Sequence, residues 1–116
     1  KYMVFKKVYK HLEKEGFEMY PIGVNPEYNK PLIIVKDSEP TRIAGTAFNN
    51  CIVYLYCHHP MGDYTKVLDF KEQIKESMDK LDNFERIDNG SQIMVDDNET
   101  YLFVLQYNNK RVRRIL

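Results

Sequence analysis

From Cys51 to Cys57 every position is apolar or tyrosine. Side chains alternate along a β-strand, so Cys51, Val53, Leu55 and Cys57 share one face while Ile52, Tyr54 and Tyr56 share the other. A strand with one wet face would show polar residues at every second position, so this pattern predicts cover on both sides. Thr100 to Tyr107 repeats it, with Tyr101, Phe103, Leu105 and Tyr107 on one side and Leu102 and Val104 on the other. Only two helices are predicted in the whole chain. A neighbouring subunit, or an extended proline-rich segment, is therefore expected to supply the second cover.

The first helix is predicted from Phe5, Val8, Tyr9 and Leu12, spaced i, i+3, i+4, i+7, with Gly16 as its stop. An extended segment follows, punctuated by Pro21, Pro26 and Pro31, each of which steers its predecessor away from helix. Leu32 to Val35 predicts a short buried strand, and Arg42 to Phe48 a second one weakened by Gly45. Asp37 to Thr41 is expected as the loop between them, and Asn49-Asn50 leads into the 51–57 strand, giving a three-stranded meander. His59-Pro60-Met61-Gly62 is expected to end it. Asp63 suits a helix N-cap, and Tyr64, Val67, Leu68, Ile74, Met78 and Leu81 form an apolar stripe on the second helix, ended by Asp82-Asn83. Phe84 to Asp88 and Gln92 to Val95 flank Asn89-Gly90, a pair suited to a tight hairpin. Asp96 to Glu99 forms a further turn, and Asn108-Asn109 is expected to close the fold. The order helix, three strands, helix, two or three strands predicts an α+β domain with a mainly antiparallel sheet. One domain is expected over 1–109, with 110–116 as a basic C-terminal tail, either flexible or docked on a neighbour.

Composition changes this picture in two ways. Nine Tyr and six Phe are many for 116 residues, and tyrosine suits surfaces buried on one side and wet on the other. Seventeen basic and 17 acidic residues give a net charge of +0, which disfavours generic nucleic-acid binding because phosphate neutralisation asks for a basic excess. The charges are nonetheless segregated. Lys6, Lys7, Lys10 and Lys14 lie on the first helix, Lys110, Arg111, Arg113 and Arg114 in the tail, and acid gathers at Asp96, Asp97 and Glu99. Such separation suits charge-complementary neighbours. With two cysteines and no run of membrane-spanning length, a reducing cytosolic setting is the expectation.

Candidate chemistry is sparse. Cys57-His58-His59, with Cys51 on the same face as Cys57, is the one group suggestive of a metal or nucleophile site. Six residues of strand span roughly 20 Å, too far for one tetrahedral ion, so no metal is expected. Adjacent strand residues face opposite ways, which keeps Cys57 and His58 from forming an activated thiol pair. His11 falls on the charged side of the first helix, where exposure is expected. Asp96-Asp97-Asn98-Glu99 lacks the spacing and central glycine of a calcium loop. No phosphate-binding loop, serine elbow or HExxH is present, so neither an enzyme nor a cofactor is expected.

The opening helix, then Tyr20-Pro21-Ile22-Gly23-Val24-Asn25-Pro26, then Lys30-Pro31-Leu32-Ile33-Ile34-Val35, the long apolar strand, the second helix and a closing β segment make an arrangement spanning nearly the whole chain. It resembles the tail-terminator, or tail-completion, proteins of long-tailed bacteriophages, including relatives that join head and tail. The resemblance implies a non-enzymatic α+β subunit of a ring, typically a hexamer, that caps the tail tube and presents a surface to the head connector. It implies as partners the chain itself, a tail tube protein and a head connector protein, with no specific nucleic acid and no membrane. The location implied is the head–tail junction of the virion, and the host cytoplasm during assembly. Tyr20, Pro21, Pro26 and Pro31 match the pattern and would shape the extended segment. Tyr54, Tyr56, Tyr101, Phe103, Tyr107, Arg111, Arg113 and Arg114 are the expected interface residues. A head-completion or connector protein and a small-ligand-binding α+β regulatory domain are the alternative readings.

Overall fold

Two strands of 13 residues dominate the structure: β4, Phe48–Pro60, and β7, Thr100–Val112. They pair antiparallel along their whole length, from Phe48↔Val112 to Pro60↔Thr100. At about 3.3 Å per residue such a ribbon runs roughly 40 Å, which explains overall dimensions of 52 × 26 × 25 Å. The computed structural model describes residues 3–37, 41–42, 48–87 and 92–112, without the side chains of 3, 41–42, 48–50 and 110–112.

Shorter elements flank the ribbon: α1 Met3–Lys14, β1 Met19–Pro21, β2 Leu32–Asp37, β3 Thr41–Arg42, α2 Tyr64–Met78, β5 Phe84–Ile87 and β6 Met94–Asp96. The sheet order is β1-β2-β4-β7-β5, with β3 also on β4 and β6 also on β7. Among the described strand pairs only β1–β2 is parallel. The fold is thus α+β with a mainly antiparallel sheet, in the predicted order.

Both helices lie on one face of that sheet. Val4, Val8 and Leu12 of α1 and Val67, Phe70, Ile74 and Met78 of α2 pack with Ile33, Val35, Cys51, Val53, Leu55, Cys57, Phe103, Leu105 and Tyr107 in one core. The alternation read from Cys51–Cys57 therefore holds, and the cysteine side is the helix-covered one. Helix α1 ends as its glycine predicts: Gly16 takes φ +98, with Gly16 N donating to Glu13 O and Phe17 N to Leu12 O. These two bonds are a Schellman stop, which needs a residue comfortable at positive φ. Helix α2 begins at Asp63, whose side chain accepts from Thr65 N at 2.9 Å.

Several expectations are corrected. Of the predicted 42–48 strand, Arg42 lies in β3, Thr41–Arg42, and Phe48 opens β4, while residues 43–47 lie outside the described residues. No β2-β3-β4 meander forms: β2 and β3 both pair with β4, on rows Leu32↔His58 to Asp37↔Val53 and then Thr41↔Asn50 to Arg42↔Asn49. Nor does β4 stop before His59. Pairing with β7 carries it to Pro60, where a terminal proline withholds no needed donor. The predicted 84–95 hairpin is absent as well, because β5 and β6 each run antiparallel to β7 and hence in the same direction as one another. The long outer edge of β7 attracts both, since unpaired strand groups seek partners; Asn89-Gly90 lies outside the described residues. Asn108-Asn109 does not close the fold either, as β7 continues to Val112, so Lys110 and Arg111 belong to the sheet by register. On α2, Tyr64 and Leu68 stay 48% and 43% exposed, while Phe70 and Ser77, missing from the predicted stripe, face inward.

Candidate functional site

The other face of the sheet carries Ile34 of β2, Ile52, Tyr54, Tyr56 and His58 of β4, and Leu102, Val104 and Gln106 of β7, aligned by register. The proline-rich segment 22–31 is the crossover that parallel β1 and β2 require. It covers one corner: Pro26 is buried and the Tyr28 ring lies 4.8 Å from that of His58. Leu32 and Ile34 at this corner are 0% and 8% exposed although they take no part in the helix-side core. Towards the middle the face opens. Ile52, Tyr54, Tyr56, Leu102 and Val104 are half-buried, and the Tyr54 and Tyr56 rings stack with centroids 6.4 Å apart. Of the covers expected for this face, the proline-rich crossover takes the corner and leaves an aromatic strip.

Beneath the crossover His58 is buried, its Nδ1 2.9 Å from the hydroxyl of Thr100, itself buried. Burial holds the His58 pKa below its usual value, partly offset by the Asp96 carboxylate. A base whose pKa is depressed on folding favours the neutral native state, so this stability is present above about pH 6.5 and is lost as pH falls through the folded value. Unfolding by urea is expected to show lower stability at pH 5 than at pH 7.5, and His58→Gln to flatten that difference. An unchanged slope in the variant would remove His58 as its source. Asp63 and Asp96 are both held below the usual carboxylate range, by Thr65 and Asn98 respectively, so their loss of stability comes at lower pH than the histidine window.

The remaining candidate chemistry is structural. Cys51 and Cys57 are free and buried. Burial raises the Cys57 thiol well above its usual pKa, against a smaller opposing effect of Lys71, so it stays protonated and unreactive. His58 points to the opposite face, as strand parity requires, and His59 packs on Phe70 with its Nδ1 2.9 Å from Pro60 O. His11 is not solvent-exposed as expected: its Nε2 lies 2.7 Å from Ser77 O and 3.2 Å from Ser77 Oγ, tying α1 to α2. Ser77 Oγ donates to Glu15, which also receives Lys80 Nζ at 2.6 Å. Serine, histidine and glutamate meet here, yet the glutamate accepts from the serine rather than orienting the imidazole, so the relay of a hydrolase is not formed. The signal is in the spacing: His11 lies three residues after Val8 and seven after Val4, both buried, and Ser77 falls on the inward face defined by Val67, Phe70 and Ile74. Among the described residues, no group of three or more His, Cys, Asp and Glu is placed to hold a metal ion.

The predicted interface residues separate. Tyr54 and Tyr56 lie on the open strip. Tyr101 is half-buried on the helix side, its ring 5.6 Å from that of Tyr64. Phe103 and Tyr107 are 0% and 1% exposed and cannot contact a partner without unfolding. Tyr107 is held by the core, and burial pushes its pKa up to about 12, with Arg86 opposing. Arg111 is placed by register opposite Asn49, whereas Arg113 and Arg114 lie outside the described residues. In the extended segment Tyr20 donates to Glu18 at 2.8 Å, Pro21 closes β1, Pro26 is buried and Pro31 is exposed. Among known proteins, no family matches this sequence, and no curated protein matches it either. No helix among the described residues is long and apolar enough to cross a membrane.

Proposed function

We propose that this chain is a structural subunit of the tail terminus of a long-tailed bacteriophage or prophage. It acts as a tail terminator: copies form a ring, of the hexameric kind, that caps the tail tube and docks it to the head connector. The observation that carries this reading is the aromatic strip of Tyr54 and Tyr56 with Ile52, Leu102 and Val104, half-buried on the face opposite both helices. A tyrosine-rich apolar surface of this kind is suited to docking on another protein, since tyrosine buries area while keeping a polar tip. The element order, the proline-shaped crossover and the segregated charges agree with the same role. The chain's work in this reading is association, with no reaction and no cofactor, at the head–tail junction of the virion.

Electron microscopy of tails assembled with and without the protein tests it. Tails of uniform length that join heads are expected when it is present, and overlong or unjoined tails when it is absent. Normal tails that join heads in its absence would overturn the proposal.

A further inference from the structure

A second apolar surface lies away from the aromatic strip. Met61, Tyr64, Leu68 and Val95 keep 48%, 48%, 43% and 63% of their surface in solvent. They gather at the Pro60–Thr100 end of the ribbon. Tyr64 touches Tyr101, Val95 pairs across from Tyr101, and Leu68 lies one helical turn beyond Tyr64. Four large apolar side chains grouped at one end of a small domain mark an interaction site rather than scattered exposure.

The rim of this patch is acidic. Asp63, Asp97 and Glu99 are exposed, the last two in the β6–β7 turn, while Asp96 ends β6 half-buried on the opposite face, near His58. No lysine or arginine occurs anywhere from residue 87 to residue 109; Lys66, near Asp63, and Lys71, whose Nζ lies 5.6 Å from the Phe103 ring centre, are cations on the adjoining part of α2. The opposite charge lies on α1, where Lys6, Lys7, Lys10 and Lys14 are all exposed and Glu13 is the acid among them. Among the described residues none of these four lysines is in an ion pair.

These two surfaces cannot satisfy one another within one chain. Lys7 Nζ sits 5.9 Å from the centre of the Phe84 ring, and Phe84 pairs with Asn109. Thr100, at the acidic end, is nine strand positions away along β7, about 30 Å at ~3.3 Å per residue. Screening at physiological salt acts over about 8 Å, so the Lys6–Lys7 end of α1 scarcely feels the acidic turn inside a subunit. Between subunits they are free to meet.

We infer that a second copy of this chain docks here, setting the lysine face of its α1 against the acid-rimmed Met61–Tyr64–Leu68–Val95 patch. The contact joins two different surfaces, so it is head-to-tail and repeats until the rotation closes a ring. The apolar centre supplies the buried area, and the lysine–carboxylate rim sets partner choice and approach. This rests on the ring reading above and assigns its subunit-to-subunit contact, leaving the aromatic strip for a different partner.

A charge exchange tests it. One variant carries Asp97→Lys and Glu99→Lys, a second carries Lys6→Glu and Lys10→Glu; all four sites are exposed. Native mass spectrometry at low salt is expected to show wild-type oligomers, mostly monomer for either variant alone, and oligomers again on mixing the two in equal amounts. Circular dichroism of each variant is expected to match the wild type. Oligomers that persist in the single variants, or a mixture that stays monomeric, would overturn this contact while leaving ring formation itself in place. A wild type that remains monomeric both alone and on isolated tails would overturn contact and ring together.

Discussion

Replacing Phe103 with alanine is expected to cost about 3–5 kcal/mol, the range for an aromatic side chain removed from a close-packed core. Phe103 is 0% exposed, its ring centre 6.0 Å from that of Phe70, with Lys71 Nζ 5.6 Å from the same ring centre. It lies between Cys57 across the strand pair and α2 above, in the core shared with Val67, Phe70 and Ile74. A domain of this size has about 5–15 kcal/mol of stability in all, so the variant should be marginal at room temperature. Urea titration against wild type measures the loss, and Phe103→Leu should recover most of it. A loss below about 1 kcal/mol would mean that the ring is not packed as described.

Tyr54 and Tyr56 should behave in the opposite way. Converting both to serine is expected to leave the far-ultraviolet spectrum unchanged and to lower stability modestly, by about 1–2 kcal/mol, since half-buried rings lose only part of their transfer energy. Under the role proposed above, tail capping should fail, with tails assembled alongside the variant running long or remaining unjoined. A double variant that caps tails as well as wild type would remove the aromatic strip from the functional surface. The two experiments together separate a residue that acts by holding the fold from residues that act by being left outside it. From sequence alone Phe103, Tyr54 and Tyr56 belonged to one group of interface candidates.

That grouping shows where reading a sequence stops. Alternation assigns Phe103 to one side of its strand and Val104 to the other, but not which side the helices will occupy. The answer depends on which strand face meets Val67, Phe70 and Ile74 of α2, a contact between segments far apart in the chain. The corner at His58 is similar. Nothing local to His58 shows that Tyr28, thirty residues earlier, will lie against it and that Thr100 will meet its Nδ1. The Asn89-Gly90 signal pointed to a hairpin because turn chemistry is local, yet β5 and β6 found their partner in β7 instead. His11 looked like a surface histidine because its helical neighbours are charged, and only the approach of α2 supplied Ser77 to it.

By itself the sequence determined the elements that depend on neighbours a few residues away. Spacing of Val8 and Leu12 with Gly16 fixed α1 and its stop, Asp63 fixed the start of α2, and strict alternation along Cys51–Cys57 and Tyr101–Tyr107 set two strands with two apolar faces. Charge segregation was equally legible, because it is a property of order alone. The tertiary structure decided everything that depends on distant partners: the pairing of β4 with β7 over 13 residues, the gathering of both helices on the cysteine face, and the crossover that closes one corner of the other face. It also decided that the Lys6–Lys7 end of α1 and the acidic turn lie at separated places, beyond the reach of screened electrostatics within one subunit. The physical reason is common to all of these. Local propensities act through backbone geometry and are written in short windows, whereas burial is settled by which apolar surfaces find each other once the chain has folded back on itself.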